Sequence, residues 1–143
     1  MPRTRRAREL MQAHVRTLMN GHLVTVGPED SLVDVARELA SRDIGAIPVM
    51  DRDHRLVGLV ATTDLVNLLH DRQSLEGKAA RDAMNAEPIS IDEFATADEA
   101  IGVMRNALIH YLPVVREGKL VGMVTSQDMI RHLLKNYPDP EVA

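Results

Sequence analysis

The chain has 143 residues, of which 45% are apolar and 27% charged, values that fit a small globular protein. Seventeen Lys and Arg against 21 Asp and Glu leave a formal net charge of -4, which disfavours a globally basic nucleic-acid binder. Cysteine and Trp are absent and the aromatic residues are Phe94, Tyr111 and Tyr137 alone, so disulfides, thiolate metal sites and a Cys nucleophile are excluded, and a surface that stacks several bases has almost no material.

The N-terminus carries Arg3, Arg5, Arg6 and Arg8 without the apolar segment of a signal peptide. Residues 1–14 read as a basic arm, mainly solvated, in which a helix starts near Glu9 and runs to Met19. No stretch approaches the roughly 18 to 20 apolar residues of a membrane span. A free-standing cytoplasmic protein is the default expectation. A short β segment follows at Val24–Val26. A helix starts at Ser31, with Ser31 and Asp34 spaced as a capping pair. Its apolar face is Leu32, Val35, Ala36 and Leu39. Strands are predicted at Ala46–Met50 and Leu56–Val60, joined by a polar turn with Asp51 and Asp53. A helix near Thr63 presents Leu65, Leu68 and Leu69.

The same order then returns. Val15-Arg16-Thr17-Leu18-Met19-Asn20 matches Ala80-Arg81-Asp82-Ala83-Met84-Asn85, an offset of 65. Thr25-Val26 matches Ser90-Ile91, and Gly45 through Met50 matches His110 through Val115. Past the next turn, where one residue is lost, Leu56 through Asp64 matches Leu120 through Asp128. The second copy has a strand at Ile89–Ile91, a helix from Thr96 with Glu99 as capping partner, strands at Leu112–Val115 and Leu120–Val124, and a last helix near Gln127. Lys78–Met84 stands before it as Glu9–Met19 stands before the first. One unit of about sixty residues has a marginal core. The chain therefore reads as two β-α-β-β-α repeats forming one pseudo-twofold domain. The fold class is α/β, or α+β in some schemes, with two small sheets and flanking helices. The bounds are 15–72 and 80–136, with a linker at 73–79 and a tail at 137–143.

Gly45-Ala46-Ile47-Pro48-Val49, Leu56-Val57-Gly58-Leu59-Val60 and Thr63-Asp64-Leu65, each echoed in the second copy, resemble a CBS domain. Two in tandem resemble a Bateman module, and most of all the small bacterial proteins built only from such a pair. The resemblance implies a regulatory adenosyl-nucleotide sensor, not an enzyme. The family signature is Gly-hydrophobic-x-Thr/Ser-x-x-Asp. It is complete at Gly122, Thr125 and Asp128. In the first copy Gly58 and Asp64 are present, but Ala61 takes the hydroxyl position, beside Thr62 and Thr63.

The resemblance implies that Asp128 and Asp64 accept hydrogen bonds from ribose hydroxyls, with phosphate near a helix N-terminus. It also implies that Asp128 and Thr125 face Val24, Thr25, Gly45, Ala46 and Ile47 of the other repeat. Asp64 and Thr63 correspondingly face Ile89, Ser90, His110, Tyr111 and Leu112. His110 stands where relatives place a basic phosphate contact. AMP, ADP or ATP are the expected ligands, the last two with magnesium held by phosphate oxygens. NAD and S-adenosylmethionine rank behind them. The expected partners are a second copy of the chain and a separate effector protein. The competing readings are a dimeric interaction protein with vestigial clefts, favoured by Ala61, and nucleic-acid contact through the basic arm. His14, His22, His54, His70 and His132 form no His-x-x-x-His pair with an associated Glu motif, and no catalytic or metal residue is assigned.

Overall fold

The computed structural model describes residues 2–135. Its elements run α1 (Pro2–Gln12), a 3-10 turn (Val15–Thr17), α2 (Leu32–Arg42), β1 (Ala46–Met50), β2 (Leu56–Ala61), α3 (Thr62–His70), a second 3-10 turn (Ala80–Asp82), β3 (Ile91–Asp92), α4 (Ala97–Ala107), β4 (Tyr111–Arg116), β5 (Lys119–Thr125) and α5 (Ser126–Leu134). The tandem β-α-β-β-α-like order is therefore present, with mixed α/β content, the leading strand of the first repeat reduced to a single bridge. The sheets have the orders β1-β2 and β3-β4-β5.

The chain forms two compact units. One contains residues 24–89 and 117–120; the other contains 2–23, 90–116 and 121–135. Each repeat thus leaves its entry segment in the unit built mainly from the other repeat. The hydrogen bonds show why. In one unit Val15 and Arg16 donate from their backbone N–H groups to the carbonyls of Ala95 and Glu93, and Asn20 exchanges both bonds with Met123. In the other, Ala80 and Arg81 donate to Asp30 and Pro28, and Asn85 exchanges both bonds with Leu59. The partners recur at the repeat offset, so one backbone plan is built twice.

Each unit has its own core. Leu32, Val35, Leu39, Ile47, Val49 and Val60 lead one, with Ala80 of the entry segment buried among them. Val15, Leu112, Val114, Val124, Met104 and Met129 lead the other. Leu10 of α1 packs against the second core, and Leu75, in the segment joining the repeats, packs against the first. These two leucines are also separated by the repeat offset. So α1 does for one unit what the joining segment does for the other.

This corrects four sequence expectations. Residues 2–12 are helical, so the helix starts well before Glu9 and ends at Gln12, short of Met19. The segments ending at Met19 and Met84 are single 3-10 turns, because their amides are committed to neighbouring strands and loops. The predicted strand Val24–Val26 is reduced to one parallel bridge, Val26 to Val49. Its counterpart begins at Ile91, leaving Ile89 and Ser90 outside β3. At the helix starts, Thr96 Oγ1 accepts from the Glu99 N–H at 3.2 Å. Ser31 makes no side-chain cap, and Asp34 pairs instead with Arg37 at 3.2 Å.

The turn that lost one residue is closed by Glu117 and Gly118, both left-handed with φ 51° and 81°, the pattern of a two-residue hairpin turn. The longer turn uses Asp51, whose Oδ1 accepts from the N–H groups of Asp53 and Arg55.

Two local features carry predictions. The C-caps of α2 and α4 are left-handed at Asp43 and Leu108, with φ 51° and 56°. Left-handed backbone is costly for a leucine, and Leu108 is 87% exposed, so little packing offsets that cost. Leu108→Gly is expected to raise stability by about 1 kcal/mol, read as a higher urea midpoint at constant slope. A lower midpoint would show that Leu108 has a packing role.

The second feature is Glu93, whose side chain is 2% exposed. Arg116 donates to both its carboxylate oxygens, at 2.5 and 2.8 Å. The Arg116 hydrogen bonds hold the Glu93 carboxyl below its ordinary value of 4.5, against the opposing effect of burial. Folding therefore favours the charged form. The resulting stability is present above pH 4.5 and is lost as pH falls through the lower folded-state value. Acid titration of the melting temperature should show this loss in the wild type and a flatter profile in Arg116→Met. Identical profiles would contradict the assignment.

Candidate functional site

The motif residues gather where a strand hands over to a helix. At the end of β5, Thr125 is extended and caps α5. Its Oγ1 accepts from the Asp128 N–H at 3.1 Å, while Asp128 Oδ2 accepts from the Thr125 N–H at 2.9 Å. The Thr-x-x-Asp spacing is thus a reciprocal capping box. Four chain positions carry it, because the third helical residue folds back over the cap. Asp128 retains 18% side-chain exposure. The Ser126 N–H donates to the His110 carbonyl at 2.9 Å, and Ser126 Oγ lies 3.5 Å from His110 Nδ1. The residue before β4 is thereby drawn to the start of α5.

The first repeat has the same junction with one part missing. Asp64 Oδ2 accepts from the Ala61 N–H at 2.8 Å, but the Ala61 methyl has no oxygen to return the bond. Thr62 compensates elsewhere: its N–H and its Oγ1 both donate to the Gly45 carbonyl, at 2.9 and 2.8 Å. Thr63 is exposed.

The units divide the sequence-predicted residues. Asp128, Thr125, Ser90, His110, Tyr111 and Leu112 lie in one. Asp64, Thr63, Val24, Thr25, Gly45, Ala46, Ile47 and Ile89 lie in the other. Direct bonds bring His110 to the α5 junction and Gly45 to the α3 junction. Ala46, Ile47 and Leu112 are buried in their strands, Val24, Thr25 and Tyr111 are half-buried, and Ile89 and Ser90 are exposed.

Three further residues emerge from the geometry. Met19 covers Gly122 and Met84 covers Gly58. A Cβ on either glycine would lie 2.3 Å from the methionine sulfur. The motif glycine therefore admits the entry segment onto the strand that leads to each Asp. The third residue is Arg131, whose Nη1 stands 3.2 Å from Asp128 Oδ1. The recurrence of Met19 as Met84 was visible in the sequence, as was the three-residue spacing of Asp128 and Arg131. The contacts themselves require the fold.

The family model for the CBS domain matches residues 15–71 and 80–135. The chain belongs to the CBS-domain family, a family of regulatory, non-catalytic modules, and is a tandem pair. It is similar to Hypoxic response protein 1 of Mycobacterium tuberculosis, 32% identical over 123 residues, covering 82% of this chain and 83% of the relative. A crystal structure of that protein with two coordinated zinc ions matches with a TM-score of 0.76 and 29% identity, over 84% of this chain and 98% of the other. CBSX2 in complex with AMP matches with a TM-score of 0.77 and 29% identity, over 85% and 96%. The CBS domain pair of protein MJ0100, in complex with 5-methylthioadenosine and S-adenosyl-L-methionine, has the same fold, with a TM-score of 0.77 at 24% identity over 87% and 98%. Adenosyl ligands thus recur in structures of this fold. Among the described residues, no group of three His, Asp or Glu side chains is placed to hold a metal ion.

Proposed function

We propose that the chain is an adenosyl-nucleotide sensor that acts through a separate effector protein. The observation that supports this most is the α5 junction. There a partly exposed Asp128 carboxylate, a helix start and His110 adjoin within one unit. A carboxylate accepts from two adjacent ribose hydroxyls, and a helix start favours phosphate. AMP, ADP and ATP come first in this reading, the latter two with magnesium. NAD and S-adenosylmethionine come second. The repeat bounds 15–72 and 80–136 and the assignment of Thr25, Ala46, Ile89, Ser90 and Tyr111 to ligand contact belong to the same proposal and rest on family resemblance. A cytoplasmic setting belongs to the proposal as a default expectation. Among the described residues no helix is long and apolar enough to cross a membrane.

A ligand shifts conformation only through unequal affinity for two states. The second copy of the chain supplies a surface for that response. Val66 and Leu69 on α3, and Ile130 and Leu134 on α5, are exposed apolar residues. Val66 and Ile130 are repeat equivalents. The same apolar position is thus presented twice, as a self-associating face would require. Sedimentation should show a dimer that Val66→Asp with Ile130→Asp converts to a monomer.

Ala61 favours a second reading for the first repeat alone, that its site is vestigial. Contact with nucleic acid through the basic end gains no support from α1, where Arg5 is paired with Glu9 at 3.1 Å. Side chains of Arg3 and Arg6, and the tail at 137–143, lie outside the described set. Thermal-shift measurements with AMP, ADP, ATP, NAD and S-adenosylmethionine test the proposal. A specific ligand raises the melting temperature by mass action. No shift with any of them at millimolar concentration would overturn it.

A further inference from the structure

We infer that Arg131 sets the charge selectivity of the second-repeat site, so that this site takes a phosphorylated adenosyl ligand while the first-repeat site takes one without a phosphate. The inference rests on the reading that Asp128 and Asp64 hold the nucleoside.

Arg131 lies one turn beyond Asp128 on α5. Its Nη1 donates to Asp128 Oδ1 at 3.2 Å and its Nη2 to Gln127 Oε1 at 3.4 Å. Both bonds are long for a guanidinium, and the side chain is 68% exposed. A loosely held guanidinium has five N–H donors, and two are engaged here. The remainder suit a phosphate, which a guanidinium grips in bidentate fashion. The Asp128 oxygen that meets Arg131 retains a second lone pair for a ribose hydroxyl. One Asp–Arg pair thus presents an acceptor for ribose and donors for phosphate on the same face of α5.

The first repeat lacks this cation. The equivalent of Arg131 is Asn67 and that of Gln127 is Thr63. From Ala61 to Asn67 the chain has one acid and no base; from Thr125 to Arg131 it has one of each. Asp64 therefore stands as a local negative charge without a basic neighbour on its helix turn. A phosphate there meets repulsion, whereas an uncharged or cationic adenosyl group does not. Two sites on one backbone plan thus differ in local charge, one negative and one balanced, through a few side chains.

Calorimetric titration of the full chain with AMP and with adenosine tests this. An Asp64→Ala background isolates the second-repeat site. There Arg131→Gln should weaken AMP about tenfold, the loss of one charge-assisted contact, and leave adenosine within about twofold. Arg131→Lys should keep most of the preference for AMP, and that preference should shrink with added salt. In an Asp128→Ala background, Asn67→Arg should raise AMP affinity at the first-repeat site. An unchanged AMP affinity in Arg131→Gln, or equal losses for AMP and adenosine, overturns the selectivity role and leaves the nucleoside reading intact. Full binding of both ligands after combined Asp64→Ala and Asp128→Ala substitution overturns the nucleoside reading and the inference with it.

Discussion

Gly58→Ala should destabilise the protein by about 1–3 kcal/mol, the range for overpacking a closed site, and by more than Gly122→Ala. The new methyl at Gly58 would meet Met84 at Sδ, Cγ and Cβ, at 2.3, 2.8 and 3.1 Å. At Gly122 it would meet Met19 at Sδ, Cγ and Cε, at 2.3, 2.9 and 3.2 Å. A methionine can swing its sulfur aside because three torsions are free to rotate. Its Cβ is fixed by the backbone, so Met84 yields less than Met19. Both entry segments are held by two backbone bonds, Asn85 with Leu59 and Asn20 with Met123, so neither retreats as a whole and the side-chain contact decides the difference. Urea midpoints at constant slope measure the loss. The double variant Gly58→Ala with Met84→Ala should lose less than the sum of the singles, because the two residues share one contact. Strict additivity would show that the glycine serves another purpose.

Asp128→Ala should have two separable effects. It removes the carboxylate half of the α5 capping box, which should lower stability by about 1 kcal/mol. It also removes the ribose acceptor of the proposed site. Hydrogen bonds to a charged group contribute about 1.5–3 kcal/mol each, so affinity should fall by about 100-fold or more. Thr125→Ala loses the hydroxyl half of the cap and keeps the carboxylate, so it should lower stability by a similar amount while the ribose acceptor remains. Asp64→Ala should cost less stability than Asp128→Ala, because Ala61 already lacks the reciprocal bond. Equal affinity in wild type and Asp128→Ala would remove Asp128 from the site.

Much of the fold was legible in the sequence because the repeat offset fixes both copies at once. Strand β1 was read at its observed bounds, and α2, α4 and the later strands were placed to within a residue or two. The entry segments were not legible. Val15, Leu18 and Met19 have the spacing of a helical face, and a 3-10 turn presents them equally well. What distinguishes the two is the commitment of the Val15, Arg16 and Asn20 amides to Ala95, Glu93 and Met123, residues far along the chain. The exchange of entry segments between repeats was hidden for the same reason. The Asp-centred junctions were legible through their spacing. The role of the motif glycines was only half legible. Their recurrence at Gly58 and Gly122 shows in the signature, but that Met19 and Met84 fill the space beside them depends on the exchange. Nothing in the sequence marks Arg131, because an Asp–Arg pair three residues apart is an ordinary solvated helix face.

The central claim is that an adenosyl nucleotide binds at the strand-to-helix junctions. Its most direct measurement is calorimetric titration of AMP into the wild-type chain and into Asp128→Ala. Saturable binding in the wild type, with the AMP-preferring site lost in Asp128→Ala and retained in Asp64→Ala, is the predicted result. Absence of AMP binding to the folded wild-type chain, or an unchanged isotherm in Asp128→Ala, would contradict it.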